Sequence, residues 1–379
     1  MTVCRVGDGG TQADWLHVPH AVFAGDPNWV PPLHTVEKRR ISPRHNPLFA
    51  AGQAAFFVAY RDGAPVGRIS AQVDHRHLRQ HRDETGHFGF FDCIDDVDVA
   101  HALTDRASNW LRERGLSRMV GPFNLSINED IGLLVDGFSA PPAILTSHAP
   151  RWAHGLLDRC GFAKKVDLLG YRMRPAQQPP ELRRLAALAQ RSGRVRVRMV
   201  DVASYRQELE LLFDIFNDAW SDNWGFVPVG PAEIDAIAQD TRPIIRSKFG
   251  RIAEIDGVPA AMMVALPDIN RVITPFGGRL LPFNWIRLAH AILADRWKTA
   301  RIPLLGIRKA YRRTPIAAGV LSLLVSEFVE LARAYDLDWI EFSWVLETNT
   351  QMVKLAELAA GPAVKRYRIY EKSLCLPAS

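Results

Sequence analysis

Residues 57–71, FVAYRDGAPVGRISA, lie on residues 251–265, RIAEIDGVPAAMMVA, without a gap. Asp62-Gly63 falls on Asp256-Gly257 and Pro65 on Pro259, at an offset of 194 residues. In each stretch β-prone runs flank an Asp-Gly pair, which tolerates the positive φ angles of a tight hairpin turn, so each reads as strand, turn, strand. Two further echoes keep the same order. Asn28-Trp29-Val30-Pro31 precedes the first hairpin as Asn223-Trp224-Gly225-Phe226-Val227-Pro228 precedes the second. Downstream, LLDRCGFAKKVDLLGYRM (156–173) resembles LAELAAGPAVKRYRIYEK (355–372), a helix end, a glycine and a strand. The chain therefore reads as two diverged copies of one α/β (α+β) unit, each a mixed twisted sheet flanked by helices.

The length of 379 residues suits two domains better than one core. The proline-rich start and Ser192-Gly193 of RPAQQPPELRRLAALAQRSG place the join near residue 177, giving domains at 1–176 and 194–379 with a linker helix at 177–193. Hydrophobic residues at 47% and charged residues at 23% exclude a disordered chain. The net charge of +6 suits an anionic cofactor or a phospholipid surface, and nucleic acid is not the partner expected. Cys4, Cys93, Cys160 and Cys375 form no CxxC pair, so neither a zinc knuckle nor a redox motif is written here. MTVCRVGDGG lacks the basic and apolar regions of a signal peptide, and no stretch has the length of a membrane span, so the expected place is the cytoplasm.

Residues 302–334 read IPLLGIRKAYRRTPIAAGVLSLLVSEFVELARA. An apolar strand ends at Gly306-Ile307, a basic turn follows, and a long helix is expected from Thr314 as N-cap and Pro315 as first helical residue. This segment resembles the signature of the GNAT superfamily of acyl-CoA N-acyltransferases, in which a strand enters an Arg/Gln-x-x-Gly-x-Gly/Ala turn and then a helix. The resemblance implies acyl-CoA as cofactor and an amine as acceptor. It places the cofactor at Ile307, Arg308, Arg312, Arg313, Thr314, Ile316 and Ala317, where backbone N–H groups and the helix dipole would meet a pyrophosphate. Two departures stand out: Pro315 has no N–H where the motif has its first glycine, and Ala317 replaces the second. An acyl carrier protein thioester is therefore an alternative donor. WIEFSWVLETN (339–349) alternates as a half-buried strand, and Asn349 then resembles the family's Asn that opens a helix beside the pantetheine arm.

The family's acid tyrosine is not recognisable, since Ala356 and Leu157 stand at its two positions; Tyr367 and Tyr370 are the substitutes considered. An attacking amine must lose a proton, which makes Glu129, Glu341 and Glu347 candidates for the base. The first copy shows the fold pattern without the basic turn, and Asp92, Asp95 and Asp96 would repel a pyrophosphate there. Its segment GPFNLSINEDIGLLVDGF, with Asn124, Ser126, Asn128 and Glu129, reads either as an amine-orienting site or as an irregular turn. His75, His77, His81 and His87 crowd one arginine-rich stretch, for which a solvated loop is expected rather than a metal site.

Residues 279–301, RLLPFNWIRLAHAILADRWKTAR, are an insertion where the fold needs only a short turn. Leu281, Trp285, Leu288 and Ile292 recur at helical spacing, widened by Ile286, Leu293 and Trp297, while Arg279, Arg287, Arg296, Lys298 and Arg301 oppose only Asp295. A basic amphipathic helix of this kind reads as an interfacial or acyl-chain-binding element, with packing on the other domain as the alternative. The resulting expectation is an acyltransferase moving an acyl group, of long chain, to a lipid (sphingoid-type) amine, in peripheral contact with the inner membrane. A catalytically degenerate binding protein and an aminoacyl-tRNA-dependent transferase are the alternatives.

Overall fold

The computed structural model describes residues 1–241, 246–295 and 297–375. The first half of the chain forms β1 (Thr2–Val6), β2 (Gly9–Gly10), α1 (Gln12–Val22), α2 (His34–Arg40), β3 (Gly52–Arg61), β4 (Ala64–Asp74) and α3 (His75–His81). It continues with β5 (Thr85–Cys93), α4 (Val97–Arg112), β6 (Arg118–Gly121), β7 (Leu133–Asp136), α5 (Ala153–Arg159) and β8 (Ala163–Met173). The second half forms α6 (Pro180–Arg191), β9 (Val195–Met199), α7 (Tyr205–Trp220), α8 (Pro231–Thr241), β10 (Gly250–Ile255), β11 (Val258–Pro267) and α9 (Asn270–Ile273). It ends with α10 (Asn284–Ala294), β12 (Thr299–Ile307), α11 (Lys309–Arg312), α12 (Ala317–Ala334), β13 (Trp339–Leu346), α13 (Thr350–Ala360) and β14 (Lys365–Ser373).

The two hairpins have the same geometry. Asp62 and Gly63 sit at φ 52° and 81°, as do Asp256 and Gly257. Both ladders slip register at one point, between Ala59 and Tyr60 in β3 and between Ala253 and Glu254 in β10. Those positions are again 194 residues apart, so even the β-bulge is repeated.

The chain divides into two compact units. Unit 1 holds Met1–Leu168, Asn270–Leu288 and the chain from Lys365; unit 2 holds Leu169–Ile269 and Ala289–Val364. The last strand of the second half thus belongs to unit 1, and the end of β8 belongs to unit 2.

In unit 1 the strands run β2-β1-β3-β4-β5-β6-β14, with β7 also paired to β14. β5 and β6 are parallel and joined through α4; the other partners from β3 to β14 are antiparallel. Trp15 of α1 packs edge-on against Phe56 and Phe90, with ring centroids 5.1 and 5.4 Å apart, and anchors one apolar cluster.

In unit 2 the order is β13-β12-β11-β10-β9, with β12 and β13 parallel and joined through α12. Alternation divides the strands between two layers. Ala253, Ala261 and Met263 join Val320, Leu324, Phe328 and Val329 of α12, whereas Ile252 and Met262 join Leu209, Phe213 and Phe216 of α7. Each such large side chain, once fully buried, stabilises the unit by roughly 1.5–3 kcal/mol. α6 docks on α12 so closely that a Cβ at Gly319 would stand 3.0 Å from the Ala189 methyl.

Two boundaries differ from those the sequence suggests. α12 begins at Ala317 rather than Pro315, because Arg308–Arg313 winds into the separate short α11. Thr314 is no cap for α12; its hydroxyl donates to the Tyr311 carbonyl at 2.6 Å. The insertion is shorter than expected: α10 ends at Ala294, Trp297 is buried in the unit 2 core, and Thr299–Arg301 is already strand β12. Arg296 lies outside the described residues.

Candidate functional site

The four register pairs joining β12 to β13 end at Ile302 with Phe342. Beyond them β12 continues to Ile307 and β13 to Leu346, so the two parallel strands form an open fork. Gly306, inside that stretch of β12, leaves room for the Trp220 ring, which a Cβ would meet at 2.2 Å. The apex is polar and buried. Glu341, fully buried, accepts from Arg172 Nε at 2.9 Å and from Ser343 Oγ at 2.9 Å. Arg301, expected from the sequence among the charges of the inserted helix, instead lies beside them with its Nε 3.0 Å from Ser343 Oγ.

At the far end of β12 the basic turn faces three carboxylates of α7 and the residues after it. Arg308 donates to Asp214 at 2.5 Å and to the Pro259 carbonyl at 2.9 Å; Lys309 bonds Asp218 through its backbone N–H at 2.7 Å and Asp222 through Nζ at 2.5 Å. Arg312 reaches Asp222 at 3.5 Å and also donates to the Ala219 carbonyl. The bond from Lys309 holds the Asp222 carboxyl below its ordinary range. Asp214, Asp218 and Asp222 recur every four residues, a spacing that could have been read from the sequence as one acidic stripe. Arg313 is the C-cap of α11, and Ile316 precedes α12 without any side-chain cap bond. Asn349 accepts from the Met352 N–H at 3.2 Å and caps α13, while Glu347 is half-buried in the turn between β13 and that helix.

The corresponding place in unit 1 is filled by the chain itself. Past the β5–β6 pairs, Phe123 N–H donates to the Phe88 carbonyl at 2.6 Å and Asn124 Oδ1 accepts from Phe90 N–H at 2.7 Å. A Cβ at Gly89 would stand 1.8 Å from the Phe123 carbonyl oxygen, which shows how little space is left. The α4 N-terminus is also occupied, since Asp96 accepts from Asp98 and Val99 N–H at 2.9 and 3.2 Å. Asp92 is held by Arg68 Nε at 2.7 Å, and the same guanidinium pairs with Glu37 at 3.2 Å.

Glu129 belongs to this packed region. Its two oxygens accept from Arg40 Nε at 2.9 Å and Asn46 Nδ2 at 3.0 Å, and burial raises its pKa despite the arginine. Ser126 and Asn128 share a turn, the Asn128 N–H donating to Ser126 Oγ at 3.0 Å. Tyr367 and Tyr370 are fully buried on β14, in unit 1. Of the nominated catalytic residues, then, Glu341 and Glu347 belong to unit 2 with the fork, and Glu129 and Tyr367 to unit 1. The histidine stretch is partly helical rather than a loop: the His77 ring is tilted against His81 and edge-on to His87, at centroid distances of 4.5 and 4.7 Å, and sits 3.2 Å from Asp83. Burial depresses His87 well below the usual imidazole range.

Over 95% of its length this chain is 37% identical to the bacterial ceramide synthase of Caulobacter vibrioides (strain NA1000 / CB15N), covering 94% of that protein. It is 36% identical to protein YghO of Escherichia coli (strain K12), over 95% of this chain and 92% of that one. The chain belongs to their family. No family model matches it. Among solved structures, a tandem GNAT protein from the clavulanic acid biosynthesis pathway superposes over 100% of this chain and 99% of its own with a TM-score of 0.56 at 11% identity. A GCN5-related N-acetyltransferase from Sphaerobacter thermophilus covers 99% and 96% with a TM-score of 0.53 at 12% identity. The fold is therefore that of the GNAT superfamily in tandem, as the sequence resemblance implied. Among the described residues no helix is long and apolar enough to cross a membrane, and no group of three or more His, Cys, Asp or Glu is placed to hold a metal.

Proposed function

We propose that the chain transfers an acyl group from a thioester, acyl-CoA or an acyl carrier protein thioester, to a primary amine, and that the thioester lies in the fork of unit 2. The observation that carries this reading is the contrast between the units. Unit 2 has an open strand fork and a long helix without a side-chain cap, whereas in unit 1 the chain fills the fork and Asp96 caps the helix. A helix start without a side-chain cap offers backbone N–H groups beyond Ala317, whose own N–H is bonded to the Thr314 carbonyl, and the positive end of a dipole. Arg313 adds charge beside it, while Arg308, Lys309 and Arg312 are already paired with Asp214, Asp218 and Asp222 and would have to exchange those partners for a phosphate. Asn349 would stand by the pantetheine arm.

In the reaction the amine nitrogen bonds to the thioester carbonyl carbon and the carbon–sulfur bond breaks. The proton lost by the ammonium passes to a carboxylate, and the departing thiolate takes up a proton. Glu347 and Glu341 are the carboxylates of unit 2 proposed for the first transfer, Glu341 through Ser343. Tyr367, fully buried in unit 1, is not assigned to the second.

The acceptor is proposed to be a long-chain lipid amine of the sphingoid type. Two things support this: the relative named a ceramide synthase, and α10, no residue of which is buried. Leu281 and Phe283 before it are each 71% exposed and Leu293 on it 77%. With Arg279 and Arg287 beside them, these side chains suit peripheral contact with an anionic membrane, where the lipid substrates reside. The test is to incubate the pure protein with long-chain acyl-CoA, or the matching acyl carrier protein thioester, and a long-chain amino alcohol. Mass spectrometry should find the amide and the free thiol. Donor binding without any amide from a panel of amines would instead favour a silent binding protein, the reading suggested by Pro315 and by Ala356.

A further inference from the structure

The β12–β13 ladder stops at Ile302 and Phe342, and the residues that follow are Pro303 and Ser343. Pro303 has no N–H to offer a neighbouring strand. A strand carbonyl in the interior must still find a donor. For Ser343 that donor is a side chain rather than the facing strand. Arg301 places Nε 3.1 Å and Nη2 3.0 Å from the Ser343 carbonyl oxygen, and its Nε is 3.0 Å from the Ser343 hydroxyl. That hydroxyl in turn donates to Glu341 at 2.9 Å. The guanidinium also lies over the Trp344 ring, 4.5 Å from its centroid, and Arg301 and Ser343 are each only 2% exposed. A planar guanidinium can engage a carbonyl with two nitrogens while stacking on an indole; an ammonium cannot do both.

We infer that Arg301 is a positioning residue for the acyl donor: a wedge that satisfies the Ser343 carbonyl, ends the β12–β13 pairing and fixes the width and direction of the fork. The inference rests on the reading of that fork as the thioester site. Without the wedge the Ser343 carbonyl is left buried without this donor, since Pro303 has no N–H to replace it, and the slot for the pantetheine amides changes shape as the strand shifts to find one. The bond chain from Arg301 through Ser343 to Glu341 means that the same wedge orients a carboxylate proposed for proton transfer.

The test uses the full chain with Arg301→Lys, Arg301→Met and Ser343→Ala. Binding of free coenzyme A and of palmitoyl-CoA is measured by calorimetry, and steady-state kinetics are run with donor and amine varied separately. Arg301→Lys should weaken coenzyme A binding and raise the donor KM by about tenfold or more, because one ammonium replaces a bidentate fork, while the amine KM stays within about twofold. Ser343→Ala keeps the carbonyl contacts and should show a smaller loss in donor binding. If Arg301→Met does not fold, Arg301→Lys decides. Donor affinity unchanged in Arg301→Lys overturns the inference, as does an equal rise in both KM values together with a lowered melting temperature. Absence of donor binding by the parent chain would instead overturn the reading of the fork itself.

Discussion

Replacing Leu281, Phe283 and Leu293 together by Ser should abolish most binding to lipid vesicles while leaving the fold intact. These side chains are 71%, 71% and 77% exposed, so the protein gives up little packing when they are shortened. Burying a large apolar side chain fully is worth roughly 1.5–3 kcal/mol, so each of these, already partly covered, would contribute about 1–2 kcal/mol on entering the acyl boundary. The triple variant should then lose about 3–6 kcal/mol, on the order of a hundred- to ten-thousandfold in partitioning. Arg279 and Arg287 would add roughly 1 kcal/mol each at an anionic surface, an increment that salt screens. The assay is vesicle flotation with phosphatidylglycerol-containing and purely zwitterionic vesicles at low and high salt, alongside thermal melts. Undiminished flotation of the triple variant with an unchanged melt would refute the reasoning, and so would binding indifferent to lipid charge and salt.

Changing Arg312 and Arg313 to Ala should weaken donor binding by a few kcal/mol at most, the range of charge-assisted contacts, and calorimetry with coenzyme A reads it directly; unchanged affinity would remove the basic turn from the site. Asp167 in unit 1 is 1% exposed and accepts from Arg366 at 3.0 Å, Arg368 at 2.9 Å and Lys164 at 3.1 Å. Against the effect of burial, these partners hold its carboxyl at about 2, below the ordinary 3.8. Because the folded pKa is depressed, its contribution of about 2 kcal/mol is complete above the ordinary value and is lost as pH falls through the folded one. Asp167→Asn should therefore lower denaturant stability near neutral pH by about that amount, with the difference shrinking between about pH 4 and pH 2; a constant difference across that range would contradict the ion-pair origin.

The parts of the fold visible in the sequence were those fixed by local chemistry. Asp-Gly twice in one register gave both hairpins because few residues tolerate φ angles of 52° and 81°. Asn349 was readable for a similar reason, since an Asn ahead of an apolar helix supplies its own cap bond. Where tertiary structure decides, local signals misled. Thr314-Pro315 has the pattern of a helix start, yet α11 absorbs the residues before it because Arg308 and Lys309 are drawn to Asp214, Asp218 and Asp222. Arg301 sits among basic residues and so resembled one more surface charge, although the strand turns it inward onto Ser343. Nor could the sequence tell which unit receives β14, because β8 and β14 have nearly the same pattern and pairing is settled by their partners.

Photocrosslinking locates the thioester proposed for the unit 2 fork. A coenzyme A thioester carrying a photoreactive group on its pantetheine arm is bound to the intact protein and irradiated, and the labelled peptides are mapped by mass spectrometry. Labels are expected within Pro303–Ala318 and Val345–Asn349, competed away by unlabelled coenzyme A. Competable labels confined to Gly89–Asp96 and Phe123–Leu125 of unit 1 would contradict that placement.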